Sequence, residues 1–144
     1  RQQYKAKQVG AYKTQALVEN LKEIAPYIDL ITITQKITQD NFKDLLKNVD
    51  VICEAFDDVE AKAMLVNGVL EHLPNTYLVA ASGMAGLSTP NIIKTRKITK
   101  LFYLCGDEVN DVSDTIGLVA PRVMLCAAHQ AHTVLRILAG EYDV

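Results

Sequence analysis

The sequence contains no apolar run long enough to cross a bilayer and no excess of basic residues. A transmembrane helix needs about 18 or more consecutive apolar residues, and no run among the 144 residues approaches that length. Fifteen basic residues stand against seventeen acidic ones, for a net charge of −2. This balance gives no electrostatic support for binding to nucleic acid or to an anionic membrane. We therefore expect a cytoplasmic protein that binds small molecules or other proteins.

Cysteine is also scarce, with three residues at positions 53, 105 and 126. The number is odd, and Cys53 and Cys126 lie in apolar segments, which argues against a disulfide framework and against a metal knuckle. We expect all three thiols to be reduced. With 49% hydrophobic residues, the chain can bury a sizeable core, and residues 1–144 are predicted to form a single domain.

The segment 50–58 is predicted to be the central strand of an α/β fold. Its apolar run, 51–56, is short, begins with β-branched residues and is flanked by acids, which favours a parallel strand that is covered on both faces and paired on both sides. Ligands of open α/β sheets bind beyond the carboxyl ends of such strands. Asp57 and Asp58 lie there, and Glu60 completes a capping-box spacing with Asp57. One carboxylate is therefore expected to cap the next helix, which leaves the other to face a cation, a phosphate-bound metal or solvent.

Strands and helices alternate along the rest of the chain. Helical spacing of apolar residues predicts helices over residues 11–24, 42–49, 58–73 and 122–139, the second of them capped by Asp40. A run rich in Ile and Thr predicts a strand over 28–34, and a short apolar run predicts a buried strand over 77–81. Residues 92–98, with alternating basic residues, and the apolar run 101–105 predict an antiparallel hairpin. The order indicates a Rossmann-like, mostly parallel sheet with a hairpin and a long C-terminal helix. That helix is apolar nearly all round, which predicts burial on more than one side and a two-fold interface.

Three further features each allow two interpretations. Lys13 lies in the first turn of the first helix, where a lysine is either solvated or in contact with a phosphate. His129 and His132 are three residues apart on the last helix, a spacing that suits a metal but also polar residues that line an interface. The small residues from Ser82 to Gly86 allow close approach of either a ligand or another backbone segment.

Several short motifs, taken in order, resemble the ThiF family of adenylyltransferases, within the superfamily that includes MoeB and the ubiquitin-activating enzymes. They are Arg1-Gln2, Gly10-Ala-Tyr-Lys13, Val51-Ile-Cys-Glu-Ala-Phe-Asp57, Ala81-Ser-Gly-Met84 and Gly117-Leu-Val-Ala-Pro121. The resemblance covers essentially the whole chain. It implies a homodimeric enzyme that uses ATP and Mg²⁺ to adenylate the C-terminal glycine of a sulfur carrier protein, ThiS, in thiamine biosynthesis.

The resemblance also implies roles for individual residues. Arg1, with its neighbour Gln2, and Lys13 match positions that contact the phosphates of ATP. Asp57 matches the aspartate associated with Mg²⁺ and the triphosphate, and Asp58 borders the nucleotide. Arg1, Lys13 and Asp57 would thus be the catalytic residues. Cations and a metal-holding carboxylate suit a reaction that displaces pyrophosphate and needs hardly any covalent machinery.

Departures from the family pattern lead to further expectations. The glycine-rich phosphate loop and the ribose-binding acid would precede Arg1, so this chain alone is not expected to hold ATP. The sequence has no Cys-x-x-Cys pair, which implies the shorter subgroup without zinc. Ser113 stands near the position of a sulfur-handling cysteine in some relatives. The first two strands of the family sheet would also precede Arg1, which would leave a gap in the sheet beside the strand 51–56. We expect a second copy of the chain in a dimer, or direct pairing of 28–34 with 51–56, to close this gap.

Two alternative functions follow from the sequence. The strand that begins at Asp50 also resembles the nucleotide-binding strand of NAD-dependent hydroxyacyl dehydrogenases, although Lys13 and the helix at Pro121 fit that class poorly. The other alternative is a non-catalytic fragment that serves in dimerisation or in docking of the carrier protein.

Overall fold

A four-stranded sheet lies at the centre of the structure, which is a computed structural model. Its strands follow the order β1-β2-β4-β3 and comprise β1 (Val51–Cys53), β2 (Tyr77–Ala81), β3 (Lys94–Lys97) and β4 (Phe102–Gly106). β1, β2 and β4 run parallel, and β3 pairs with β4 in antiparallel orientation. The predicted α/β class, with its mostly parallel sheet and its hairpin, is confirmed.

The structure describes residues 2–113 and 116–144, which form two compact units, Gln2–Lys36 and Ile37–Val144. Four α-helices are described: α1 (Lys13–Ile24), α2 (Phe42–Leu46), α3 (Val59–His72) and α4 (Ala120–Leu138). Short 3₁₀ helices cover Ala6–Gln8 and Pro90–Ile92. Within the described ranges, no helix is both long and apolar enough to cross a membrane.

The four predicted helices are all present, but the second is shorter than predicted. It has five residues, and Asn41 rather than Asp40 occupies its N-cap position. The Asn41 side chain makes no cap bond, because its oxygen accepts a hydrogen bond from the Thr38 amide at 2.8 Å instead. The prediction that Asp40 caps this helix was therefore wrong.

The strand predicted over residues 28–34 does not form. The segment lies in the Gln2–Lys36 unit and belongs to no sheet. Ile31 is 95% exposed and Ile33 is 50% exposed. Isoleucine and threonine favour an extended backbone, but a strand also needs a neighbour that pairs with it, and none is found among the described residues. Direct pairing of 28–34 with β1, the alternative to a dimer, is not found, since the segment belongs to no sheet.

The sheet has helices on both faces, and each face has its own hydrophobic core. On one face α2 and α3 cover a cluster that includes Phe42, Ile52, Leu65, Val69 and Leu78. On the other face α4 covers a cluster that includes Val79, Tyr103, Cys105, Cys126 and Ile137. Successive residues of a strand point to opposite faces, so β2 contributes to both cores and is buried from Leu78 to Ala81.

The strand predicted to be central is short and lies at the edge of the sheet. β1 has three residues and pairs only with β2 in the described part of the chain. Ile52 is buried, whereas Cys53 is exposed. The predicted pairing on both sides and full coverage over 51–56 are therefore not found. The last hydrogen bond between β1 and β2 is donated by the Glu54 amide to Val79 O at 2.9 Å. The strand ends there because the side chain of Glu54 accepts a hydrogen bond from the Phe56 amide and turns the chain away from the sheet.

Within the chain, α4 is buried along one stripe rather than all round. The stripe consists of Arg122, Cys126, Gln130, Thr133 and Ile137. On another side, Met124 is 52% exposed, and Leu135 and Leu138 are each 63% exposed. The sheet buries one side of α4, and the predicted burial of a second side depends on the predicted two-fold interface. The predicted two-fold interface on this helix stays a prediction.

Replacing Gly68 of α3 by alanine is expected to destabilise the protein, although alanine is the better helix former. A Cβ atom on Gly68 would lie 2.7 Å from the ring of Phe42, which is buried. Overpacking of a core costs about 1–3 kcal/mol, more than the roughly 1 kcal/mol that helix propensity returns.

Urea unfolding measures this effect as a lower midpoint for Gly68→Ala. Asn67→Ala, at an exposed position of the same helix, is the control and should be at least as stable as the parent protein. An unchanged or higher midpoint for Gly68→Ala would show that the Phe42 ring moves without cost.

Candidate functional site

Two carboxylates follow β1, and the structure gives them different roles. Asp58 is the N-cap of α3, and its Oδ1 accepts a hydrogen bond from the Ala61 amide at 2.7 Å. Asp57 is exposed, and its side chain makes no hydrogen bond or ion pair with the described residues. The predicted division between a cap and a free carboxylate is thus found, with Asp58 rather than Asp57 as the cap. Asp57 is free to face a cation at the carboxyl edge of the sheet.

The free carboxylate of Asp57 suits Mg²⁺ better than a metal bound only by protein. The described residues contain no group of three or more His, Cys, Asp or Glu side chains that could hold an ion. Mg²⁺ is commonly held by one or two carboxylates together with substrate phosphates and water. Asp57 could supply the one protein ligand of such an ion. This fit agrees with the role that the family resemblance implies for Asp57.

A buried carboxylate at the end of β1 was missed by the sequence analysis. The side chain of Glu54 is fully buried, and its Oε2 accepts from Lys62 Nζ at 2.6 Å. Its Oε1 accepts from the Phe56 amide at 2.6 Å. Lys62 also donates to Ala81 O at 2.9 Å, and Gln130 Nε2 donates to Glu54 O at 2.8 Å. The one signal in the sequence was an acid inside an apolar run.

A second buried ion pair, also missed, lies beyond the ends of β2 and β4. It joins Arg122 of α4 to Asp107, and their side chains are 6% and 0% exposed. Burial alone would raise the pKa of Asp107. Hydrogen bonds from Asn110 and Val109 and the charge of Arg122 outweigh burial and lower the pKa. Asp107 is therefore a carboxylate at neutral pH.

Gly83, which follows β2, and Gly106, the last residue of β4, each lie against another backbone segment that leaves no room for a side chain. Gly83 and Gly106 have φ angles of +72° and +139°, which L side chains rarely adopt. A Cβ on Gly106 would lie 1.6 Å from Ser82 O, and one on Gly83 would lie 2.3 Å from the Glu108 amide nitrogen. Of the two interpretations of this small-residue segment, close backbone approach is thus found at Gly83.

Lys13 lies in the Gln2–Lys36 unit, as the first residue of α1, and is exposed. It lines an open cleft of about 360 Å³ with residues that include Thr14, Thr34 and Lys36. The hydroxyl oxygens of Thr14 and Thr34 are 2.6 Å apart. A helix N-terminus with a lysine and hydroxyl groups has the chemistry that binds phosphate. Gln2 is also exposed.

Arg1 lies outside the described residues. Lys13 belongs to the Gln2–Lys36 unit, whereas Asp57 and Asp58 belong to the Ile37–Val144 unit. The convergence of Arg1, Lys13 and Asp57 on one ligand therefore stays a prediction.

The three cysteines carry free thiols, and Cys105 and Cys126 are buried. Burial raises the pKa of Cys126 to about 12, which makes its thiol a poor nucleophile at neutral pH. The pKa of Cys53 is raised as well, because neighbouring protein atoms partly desolvate its thiol, although the residue as a whole is exposed. Ser113 is exposed, and its amide and hydroxyl both donate to Asp111 Oδ1.

The two histidines of α4 line an open groove between this helix, β3 and the C-terminal residues. The groove has a volume of about 690 Å³. His129 Nδ1 and Thr95 Oγ1 are 3.0 Å apart and share a hydrogen bond. Because the described residues offer no third metal ligand beside them, this arrangement favours polar residues that line a surface over a metal site.

Comparison with protein families gives one match over the whole chain. A family model described as the ThiF family matches residues 1–144. The adenylyltransferase and sulfurtransferase UBA4 of Lodderomyces elongisporus is 22% identical over 144 residues, which are 96% of this chain and 31% of that protein. The sulfur carrier protein ThiS adenylyltransferase of Bacillus subtilis is 25% identical over 131 residues, 90% of this chain and 38% of that protein. The chain thus spans only about a third of each relative.

Solved structures with the same fold include the tRNA N6-threonylcarbamoyladenosine dehydratase TcdA of E. coli. Its complex with AMP has a TM-score of 0.74 and 18% identity, and the match covers 94% of this chain and 68% of TcdA. Its complex with ATP has a TM-score of 0.68 and 16% identity, with 91% and 65% covered. At these identities the likeness shows a common fold.

The assignment of Asp58 as the cap can be tested by stability alone. Asp58→Ala removes the acceptor for the Ala61 amide and is expected to lower the free energy of unfolding by about 1 kcal/mol. Asp57→Ala is the matched control, and it should change that free energy by less than about 0.5 kcal/mol because Asp57 has no such bond. Urea denaturation of both variants measures the difference. Equal losses would mean that both acids, or neither, cap the helix.

Proposed function

Because this chain belongs to the ThiF family, we propose that its protein uses ATP to adenylate the C-terminal glycine of a ThiS-type sulfur carrier protein in thiamine biosynthesis. One curated relative is a ThiS adenylyltransferase and another is an adenylyltransferase and sulfurtransferase. TcdA, which shares the fold, has been solved with ATP. The activity is proposed for a protein that contains this chain, since the chain spans about a third of those relatives.

The observation that carries the proposal is the free carboxylate of Asp57 beside a helix that Asp58 already caps. An acid used as a cap cannot serve a ligand without loss of stability, and here the cap is provided separately. Asp57 can therefore hold Mg²⁺, which when bound offsets the negative charge of the phosphates. Asp58 borders the nucleotide, with its Oδ1 committed to the Ala61 amide.

In the proposed reaction, a carboxylate oxygen of the carrier attacks the α-phosphorus of ATP. A carbon–oxygen–phosphorus linkage forms, the bond between the α-phosphorus and the bridging oxygen breaks, and pyrophosphate leaves. Cations must therefore face the leaving phosphates. We propose Lys13 and Arg1 for this role, with Gln2 as a neighbouring contact. The exposed ammonium of Lys13 at the start of α1 supports it.

Exchange of pyrophosphate with ATP, in the presence of a carrier that ends in Gly-Gly, tests the proposal in the full-length protein. Asp57→Asn is expected to lower the exchange rate by about 100-fold or more, because it removes the charge that offsets the metal and phosphates. Its melting temperature should not change, since Asp58 still caps α3.

Glu60→Gln is the control for this experiment. It removes an exposed acid from the first turn of the same helix and should leave the exchange rate within about twofold. Normal exchange by Asp57→Asn would remove Asp57 from the mechanism. Absence of exchange in the wild-type protein with any carrier would refute the proposed function.

We also propose that the protein is a homodimer in which the exposed apolar stripe of α4 forms part of the interface. Met124, Leu135 and Leu138 are more than half exposed, and separations of eleven and three residues place them on one side of a helix. Apolar surface of this kind is commonly covered by a partner.

The dimer predicts a specific effect of Leu135→Glu. A charge at the interface should halve the mass measured by light scattering at micromolar concentration, because burying it unpaired is costly. Leu70→Glu, on the 44% exposed Leu70 of α3, is the control and should leave the mass unchanged. A wild-type monomer at this concentration would contradict the proposal.

A further inference from the structure

Arg122 and Asp107 form a buried ion pair that lies outside both hydrophobic cores. Their side chains are 6% and 0% exposed. A buried pair of charges seldom stabilises a fold more than apolar residues of similar volume would. Such a pair is better explained by the segments that it holds in place, and these are identified by the hydrogen-bond partners of Arg122 and Asp107.

The position of Arg122 in the sequence indicates that it serves a specific contact. It is the third residue of α4, and the first turn of this helix contains no acid. A positive charge at a helix N-terminus is disfavoured by the helix dipole. Asp107, fifteen residues earlier in the chain, supplies the compensating charge. The buried charge of Arg122 is thus neutralised by a carboxylate from another loop.

The hydrogen bonds of Arg122 to main-chain carbonyls go to one loop, the segment 82–89 that follows β2. Its guanidinium donates to Met84 O at 3.4 Å, to Thr89 O at 3.2 Å and to Ser88 O. All three acceptors are main-chain carbonyl groups. Arg122 therefore holds the backbone of this loop through hydrogen bonds to its carbonyl groups.

The hydrogen bonds of Asp107 hold a second loop, the segment 107–110 that follows β4. Asp107 Oδ1 accepts from the amides of Val109 at 3.0 Å and Asn110 at 3.1 Å. Its Oδ2 accepts from Asn110 Nδ2 at 2.5 Å and from Arg122. The ion pair thus joins the backbones of two adjacent loops, which are also bonded directly by the Asp107 amide and Gly83 O at 2.8 Å.

These loops lie beyond the carboxyl ends of β2 and β4, on the edge of the sheet where Asp57 follows β1. Adjacent strands are about 4.8 Å apart, so the loops start about 5 Å and 10 Å from the end of β1 along this edge. Each carries an exposed apolar side chain, Leu87 at 76% and Val109 at 78% exposure. Apolar side chains on the edge that carries Asp57, the proposed magnesium ligand, suit contact with a peptide rather than with phosphates, which need polar or charged partners.

We propose that the Arg122–Asp107 pair positions the loops 82–89 and 107–110 to receive the C-terminal tail of the carrier protein. Arg122 and Asp107 are positioning residues, because they act through the loop backbones and not on the reacting atoms. The proposal rests on the proposed function for the identity of the tail.

Two variants of the full-length protein test this role. Arg122→Lys keeps the charge but has too few donors for the four acceptors that Arg122 serves. Asp107→Asn keeps an oxygen for the amides of Val109 and Asn110 but removes the charge. The second variant retains the acceptor of the loop turn, and the protection of the helices in the exchange experiment below reports whether each variant is folded.

Titration calorimetry with ThiS and, separately, with ATP gives the decisive comparison. Each variant should bind ThiS about 10-fold more weakly, with its affinity for ATP within about twofold of the wild type. Amide hydrogen exchange should become faster in 82–89 and 107–110 while the helices keep their protection. Asp44→Asn is the matched control, because it removes an exposed pair, Asp44–Lys47 at 3.0 Å, that lies outside both loops; it should change neither affinity.

The outcomes separate this inference from the proposed function. Wild-type protein that binds ThiS but shows no pyrophosphate exchange would refute the proposed function, and the effect of the variants on ThiS binding would still support the positioning role. Unchanged ThiS affinity in both variants would overturn the positioning role, as would an equal loss of affinity for ThiS and ATP. Absence of ThiS binding by the wild-type protein would overturn it as well.

Discussion

The carboxyl edge of the sheet depends on one buried carboxylate, that of Glu54. A buried charged group is tolerated only when its atoms have hydrogen-bond partners. Both carboxylate oxygens of Glu54 have such a partner. Its oxygens accept from the Phe56 amide and from Lys62, and Lys62 in turn donates to Ala81 O. The ends of β1 and β2 and the start of α3 are therefore held together at a single point. Removal of any one group would leave a buried charge or carbonyl without its partner.

The fixed turn after Glu54 separates the roles of the acids that follow it. Because the Phe56 amide is bound by Glu54, the chain leaves the sheet at a defined place, and Asp58 falls at the N-cap of α3. Asp57 then lies between the turn and the cap, with no structural bond to make. Glu54 and Asp58, on either side of Asp57 in the sequence, both bind backbone amides. They fix the position of Asp57, whose own carboxylate stays free for a ligand.

The sequence predicted those features that neighbouring residues determine. Helical periodicity with its breakers located α1, α3 and α4, and the apolar run of β2 was assigned because burial on both faces makes it continuous. The segment 28–34 was wrongly assigned, since its propensity is local whereas strand pairing is not. The pairs Glu54–Lys62 and Arg122–Asp107 were missed for a similar reason. Their partners are eight and fifteen residues apart, and only the fold brings them together.

The two buried pairs also determine which cations can serve a phosphate. Lys62 and Arg122 each form an ion pair with a buried carboxylate. If either cation turned toward a ligand, its carboxylate would be left buried without a partner, at a cost of about 3–5 kcal/mol. Lys13 has no such commitment, since its side chain is exposed at the first turn of α1. A ligand phosphate could thus be bound by Lys13 without disturbing the fold. In the proposed reaction, the positive charge that faces the leaving pyrophosphate would therefore come from groups outside the buried pairs, and this is our physical reason for proposing Lys13.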